Sequence, residues 1–209
     1  MSLNAPQAET LWRVARTLQR RVVRGKALPP LLFFTDPLRT PDPAAIVAGL
    51  PRGSGVVYRA FGSAEAMTHG LALAREARRR GVVFLVGGDV ALATRLRAEG
   101  VHLPERMAGR GGDVRALAKR FLVTAAAHSL PAAIIARRSG VDAVVASIVF
   151  SSEGHPGGRA MGRLAFAALV RNSGAAVYAL GGVNAKTGRG LHHTGAIGLA
   201  AIGALEPRI

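Results

Sequence analysis

The sequence contains no cysteine. Neither a disulfide framework nor a thiolate metal site can therefore form, and nothing in the chain requires an oxidising compartment. Long hydrophobic runs are also missing, because Gly, Arg or Asp interrupts each apolar stretch before it is long enough to cross a bilayer. The N-terminal segment likewise lacks the apolar core of a secretory signal. These absences predict a cytoplasmic protein without a membrane partner.

Acidic residues are scarce: 12 Asp and Glu stand against 28 Lys and Arg, for a net charge of +16. Such a field attracts polyanions, so nucleic acid or an anionic membrane is one interpretation. The other is an arginine-rich composition spread over helix exteriors. We favour the second, because the sequence has no base-reading motif and no basic strand interleaved with aromatic residues. The expected partner is a phosphorylated small molecule, with no specific nucleic acid.

The chain has 209 residues, of which 49% are hydrophobic, and this predicts one globular domain with a substantial core. Near the N-terminus, apolar residues recur at helical spacing with arginines between them, namely Leu11, Val14, Leu18 and Val22. We therefore divide the chain into a helical extension, 1–30, and a single barrel domain, 31–209. The basic helix is expected to pack over the barrel bottom or to form a homodimer contact.

From residue 31 onward, short apolar runs alternate with longer segments of helical period, which is typical of parallel βαβ units. The candidate strands are 31–36, 55–61, 82–87, 100–103, 121–126, 142–147, 176–182 and 197–203. Glycines at positions 81, 100, 140 and 174 are predicted to end helices. The pattern predicts a (β/α)₈ TIM barrel with an extra N-terminal helix, and a doubly wound sheet is the alternative.

In such a barrel the active site lies at the C-terminal ends of the strands. Gly181 and Gly182 follow the seventh strand and Gly203 follows the eighth, where backbone amides can approach a phosphate. Arg59 follows the second strand and is a candidate anion ligand, with a solvent-facing arginine as the alternative. Other polar residues after strands are Asp36, His102, His128 and Ser151.

Two further candidates lie in loops. Asp89 could bind Mg²⁺ through oxygen, but it also precedes a helix, and without a second carboxylate nearby we favour a helix N-cap. His155, in a Gly- and Pro-rich loop after the sixth strand, could act as acid, base or phosphate ligand, or could simply be exposed. His192 and His193 are interpreted as surface residues of a helix.

Several short motifs occur in an order and at intervals that are more specific than any one of them: FFTDP, GVHL, SIVFSSEGHPGGRAMG, ALGGV and GLAAIGAL. With these motifs the chain resembles the thiamine-phosphate synthase and thiazole tautomerase (TenI-like) superfamily over nearly its whole length after residue 30. The resemblance implies a TIM barrel. It also implies a transferase that joins a hydroxymethylpyrimidine pyrophosphate to a thiazole phosphate while Mg²⁺ holds the pyrophosphate.

The chain departs from the family pattern at the positions where the resemblance implies pyrophosphate-binding residues. Arg59 matches the arginine after the second strand, but Val57 and Phe61 replace the glutamine and the lysine on either side of it. This removes half of the pyrophosphate clamp that the resemblance implies.

The metal-binding positions are also changed. Asp89 matches one aspartate of the family, but Gly88 replaces the asparagine before it, and Met107 falls where the second aspartate is expected. A thioether is a poor ligand for a hard cation, so Mg²⁺ is a doubtful cofactor.

The loop after the sixth strand differs as well. His155 stands at the family's lysine, Ser152 and Gly154 stand at its threonines, and Ala126 replaces a serine at the end of the fifth strand. The histidine of the tautomerase branch is replaced by Ile148.

The retained positions, Ser152, Gly181, Gly182 and Gly203, are those that hold the thiazole phosphate in the family. We therefore expect a synthase-like enzyme with a degraded metal site, in which Arg59 and His155 are catalytic. A thiazole tautomerase-like isomerase and a non-catalytic phosphate-binding barrel are the alternatives.

Overall fold

The computed structural model describes residues 5–18, 27–151 and 159–205. Eight parallel strands form a closed barrel in sequence order, so the (β/α)₈ prediction is confirmed and the doubly wound alternative is wrong. The strands are β1 (Leu31–Phe34), β2 (Gly55–Tyr58), β3 (Val83–Gly87), β4 (Gly100–Leu103), β5 (Leu122–Ala127), β6 (Ala143–Ala146), β7 (Val177–Ala179) and β8 (Gly198–Ala201). Each lies within or next to its predicted run.

Alternate side chains of each strand face opposite sides of the barrel wall, as the two-residue period of a strand requires. In β1, Leu32 and Phe34 belong to the interior cluster, whereas Leu31 and Phe33 pack with the surrounding helices. All four are buried, which explains why the strand has no polar residue. The barrel closes where β1 pairs with β8, with Leu31 opposite Leu199.

The helices cover the outside of the barrel. They are α1 (Ala5–Leu18), α2 (Pro43–Gly49), α3 (Ala66–Arg80), α4 (Val90–Arg95), α5 (Gly111–Leu117), α6 (Leu130–Arg138), α7 (Gly162–Ser173) and α8 (Ala185–Arg189). Left-handed Gly81 and Gly174 end α3 and α7 as predicted, and Gly140 follows α6 with φ of +91°.

Two local predictions were wrong. Gly100 does not end a helix but begins β4, where a Cβ would overlap the backbone of Leu122 in the neighbouring strand. The last helix is also shorter than expected, since α8 ends at Arg189. His192 and His193 therefore lie in the turns that follow it, and His192 Nε2 is 3.3 Å from Thr17 Oγ1 of α1.

The N-terminal helix α1 packs against α8, β1 and β8. Leu11, Val14 and Leu18 are buried in this contact, as their spacing predicts, whereas Val22 lies outside the described residues. Within the described residues β8 is followed only by a 3₁₀ turn, Gly203–Leu205. The helix therefore covers the part of the barrel wall formed by β1 and β8.

None of the helices in the described ranges has the length and apolar character that crossing a bilayer requires.

Candidate functional site

A cavity of about 1790 Å³ opens at the C-terminal ends of the strands, where the fold predicts the active site. Residues that follow all eight strands line it. Its lining includes these candidates from the sequence: Arg59, Asp89, Gly181, Gly182 and Gly203. Two further candidates, Ser152 and His155, lie outside the described residues, but Ser151 and Arg159 on either side of that segment line the same cavity.

The double glycine after β7 forms one side of the cavity. Gly181 and Gly182 have φ values of +94° and +59°, a left-handed backbone that other residues adopt at a cost. A Cβ on Gly182 would lie 2.5 Å from the carbonyl oxygen of Phe150, so the loop after β6 also leaves no room for a side chain. Within the described part of the chain, neither glycine N–H donates to another group. These two amides are therefore available to a bound anion.

Arg59 is held in one orientation by the end of β1. Its Nε donates to the carbonyl of Thr35 at 2.6 Å, and its Nη2 donates to Asp36 Oδ2 at 3.0 Å. The guanidinium lies 5.0 Å from the ring centre of Phe61. Burial lowers the pKa of Arg59, while the carboxylate of Asp36 opposes that effect. The guanidinium is therefore a positioned cation, and no hydrogen bond within the described residues occupies its Nη1.

Sequence reasoning named Asp36 and Arg59 separately but missed their ion pair. The signal was present, since opposite charges directly follow two neighbouring strands, β1 and β2, whose C-terminal ends must meet in a parallel sheet.

Further arginines line the cavity, and sequence reasoning did not single them out. They are Arg39, Arg95, Arg106 and Arg159. Within the described ranges none of the four forms an ion pair. Among the described residues the cavity lining thus has five arginines, with Arg59, against two carboxylates, Asp89 and Glu105.

The residues at the metal positions do not fit a Mg²⁺ site of the family's kind. Asp89 is the N-cap of α4, as predicted, and its Oδ1 accepts a hydrogen bond from the Leu92 amide at 2.8 Å. Gly88 offers no side-chain ligand, and Met107 packs against the hydrophobic core. Across the described residues, no three His, Asp or Glu side chains lie close enough together to hold a metal ion.

Two histidines also line the cavity. His102 of β4 is buried, and its Nδ1 lies 3.0 Å from Thr124 Oγ1. Burial, aided by the positive charge of Arg59, lowers the pKa of His102 to about 3. This imidazole is therefore neutral at physiological pH and can serve as a hydrogen-bonding group rather than as a cation.

His128, after β5, is exposed at the cavity. Its Nδ1 lies 2.8 Å from the carbonyl oxygen of Ser147, and its backbone N–H donates to the carboxylate of Glu105. Because a carbonyl oxygen only accepts hydrogen bonds, Nδ1 donates in this contact, and the Ser147 hydroxyl oxygen also lies 3.2 Å from it, whereas Nε2 makes no hydrogen bond within the described residues. The sequence identified both histidines as strand-end residues without giving either a role.

The fold and the cavity define a (β/α)₈ barrel with its candidate site in the strand-end loops. A family model described as "Thiamine monophosphate synthase" matches residues 44–205, and the chain belongs to this family. The resemblance inferred from the motifs is thereby confirmed.

Individual relatives are distant. A protein of Aquifex aeolicus that carries a thiamine-phosphate synthase name is 33% identical over 114 residues, which cover 54% of this chain and 60% of that protein. The chain thus spans less than two thirds of that relative. The thiamine-phosphate synthase of Pyrococcus furiosus is 27% identical over 179 residues, covering 84% of this chain and 86% of that protein.

Among solved structures, a thiamine phosphate pyrophosphorylase from Pyrococcus furiosus superimposes with a TM-score of 0.71 at 23% identity. The superposition covers 90% of this chain and 87% of the other. At this level of identity the match supports the barrel fold alone.

Proposed function

We propose that this protein is a transferase of the thiamine-phosphate synthase type. It would couple a hydroxymethylpyrimidine pyrophosphate with a thiazole phosphate and release pyrophosphate. The observation that carries the proposal is that one cavity presents two groups able to bind anions: the amides of Gly181 and Gly182, which donate to no other group within the described residues, and the positioned guanidinium of Arg59. A reaction between two phosphorylated molecules requires both.

The thiazole phosphate would bind at the side of the cavity formed by Gly181 and Gly182, called here the glycine end. Gly203 after β8 and Ser152 would be further contacts. The pyrimidine pyrophosphate would place its leaving group beside Arg59. When the bond between the pyrimidine methylene and the pyrophosphate breaks, the electron pair leaves with the pyrophosphate, and the thiazole nitrogen supplies the pair for the new C–N bond. Arg59 stabilises the charge that develops on the leaving oxygen, where fixed donors act most strongly.

His155 is proposed as a second contact to the pyrophosphate, because it stands at the family's lysine. To carry a positive charge at neutral pH, an imidazole needs a raised pKa, and a bound pyrophosphate raises it. Asp89 is proposed at most as a weak metal ligand, because one of its carboxylate oxygens caps α4.

A proton-transfer isomerase of the thiazole tautomerase type is the second candidate. The orientation of His128 favours it, since Nδ1 is held by Ser147 and Nε2 is available to accept a proton at the cavity. Such an enzyme needs no pyrophosphate and no metal. Loss of isomerisation in His128→Gln, with unchanged thiazole phosphate binding, would support this candidate.

The remaining sequence-based predictions belong to the same proposal. The ligand is a phosphorylated small molecule, and the protein works in the cytoplasm without a membrane or a specific nucleic-acid partner. A homodimer stays a prediction.

The direct test incubates the purified protein with both substrates and follows thiamine phosphate and pyrophosphate by chromatography. We expect equal amounts of the two products, with little of either from Arg59→Ala. The matched control is Arg79→Ala, which removes an arginine that pairs with Glu76 on α3. Failure to form thiamine phosphate with or without Mg²⁺ would overturn the synthase proposal.

A further inference from the structure

The mouth of the cavity is the ring of segments that follow the eight strands. We propose that the half of this mouth formed by the segments after β1 to β4 binds a pyrophosphate-type anion through arginine side chains in place of a divalent cation. The residues are Arg39, Arg95 and Arg106, acting together with Arg59. The identity of the natural anion rests on the proposed function, whereas the binding site itself rests on the positions and charges of these arginines.

The four arginines come from four consecutive strand ends. Arg39 follows β1, Arg59 follows β2, Arg95 lies in α4 after β3, and Arg106 lies in the 3₁₀ turn Glu105–Arg110 after β4. Consecutive strands are neighbours in this closed barrel, so these arginines share one half of the mouth. The glycine end follows β7 and β8, and in a ring of eight strands these lie across from β3 and β4.

Two of these arginines, Arg39 and Arg59, repel each other electrostatically. The positive charge of Arg39 contributes to lowering the pKa of Arg59, so the two guanidinium groups are close enough to interact. Arg39, Arg95 and Arg106 have no carboxylate partner within the described residues. A bound anion with several oxygens would relieve this repulsion, and guanidinium groups suit it because each presents paired donors to phosphate oxygens.

The same half of the mouth is poorly suited to a metal ion. Asp89 uses a carboxylate oxygen to cap α4, and Glu105 accepts the backbone N–H of His128. In the part of the cavity lining that the structure describes, arginines outnumber carboxylates, which would repel a divalent cation and attract an anion. Gly88, which stands where the family resemblance implies a metal ligand, lines the cavity together with Arg95 and Arg106.

The test is isothermal titration of the purified full-length protein with inorganic pyrophosphate, once in EDTA and once in Mg²⁺. We expect binding in EDTA with an affinity at least equal to that in Mg²⁺. The double variant Arg95→Gln/Arg106→Gln should weaken it by about tenfold or more, the effect of losing one or two charged hydrogen bonds. Both side chains are exposed, so their replacement does not disturb the core.

The matched control, Arg138→Gln/Arg171→Gln, removes the same charge from exposed positions on α6 and α7 and should bind like the parent protein. Binding that requires Mg²⁺, or an equal loss in both double variants, would overturn the arginine site.

The two proposals fail separately. Metal-independent pyrophosphate binding without product formation from the two substrates leaves the arginine site standing and removes the synthase function. Product formation that depends strictly on Mg²⁺ would keep the synthase function and remove the arginine site.

Discussion

Asp36 and Arg59 form an ion pair, Nη2 to Oδ2 at 3.0 Å, that joins the end of β1 to the end of β2 at the cavity. The Thr35 carbonyl accepts a second hydrogen bond from the same guanidinium, so the cation is oriented before any ligand arrives. Orientation in advance is what makes a fixed charge effective in stabilising a leaving group. The pair therefore links the local fold to the chemistry proposed for the cavity.

Arg59→Lys keeps the charge but cannot keep both hydrogen bonds, because an ammonium lacks the planar donor fork. We expect kcat/KM for thiamine phosphate formation to fall by about a hundredfold, similar to the loss of one transition-state donor. Steady-state kinetics on the purified variant measure this. The control Arg79→Lys should behave like the parent protein, and an active Arg59→Lys would remove Arg59 from the proposed mechanism.

Gly182→Ala should weaken thiazole phosphate binding by about tenfold or more, because the new Cβ collides with the Phe150 carbonyl and the loop that presents the amides must shift. Gly53→Ala is the matched control: it has a similar positive φ of +82°, but no atom lies within 4 Å of its Cβ position. Calorimetric titration compares the two variants. Equal affinities would mean that the glycine end does not hold the phosphate.

The pKa of His102 is lowered to about 3 in the folded state, below the ordinary value of 6.5 that it regains on unfolding. Between these values the unfolded chain binds more protons, so the free energy of unfolding decreases as the pH falls below 6.5 toward 3. The slope from this group approaches about 1.4 kcal/mol per pH unit. Urea unfolding at several pH values from 4 to 7 should give a shallower slope for His102→Asn. Parallel slopes would contradict the burial of a neutral imidazole.

Arg115 Nη2 bonds the fully buried Asp142 at 2.7 Å, away from the cavity. Arg115→Ala should lower the free energy of unfolding by about 2 kcal/mol, because it removes a charged hydrogen bond from a buried carboxylate that still accepts the Val123 amide. Arg110→Ala, which breaks the exposed pair with Asp113, should cost less than about 1 kcal/mol. Urea unfolding measures both. A similar effect in the two variants would show that burial does not distinguish the pairs.

The strands could be predicted from the sequence because each is a short buried apolar run, such as LLFF in β1, and the barrel follows from eight such runs alternating with helices. The residues at which helices and strands begin and end were harder to predict. Gly100 looked like a helix end because glycine commonly ends helices, but its role is to let β4 lie close to β5, and that contact cannot be read from neighbouring residues.

The candidate site was predictable in part. The double glycine and Arg59 follow strands directly, so their place at the mouth follows from the fold. Arg95 and Arg106 could not be placed in this way, because each lies several residues beyond its strand, and the local sequence does not tell which face of the following turn meets the cavity. Their grouping depends on the tertiary structure.

The measurement that bears most directly on the two-ended cavity is titration of the protein with thiazole phosphate, in the absence and in the presence of saturating inorganic pyrophosphate. If the glycine end and the arginines that follow β1 to β4 form separate anion sites, thiazole phosphate should bind with one site per chain and with nearly the same affinity in both cases. If pyrophosphate competes with thiazole phosphate for the same site, the cavity has a single anion-binding end, and the coupling of two phosphorylated molecules in it is ruled out.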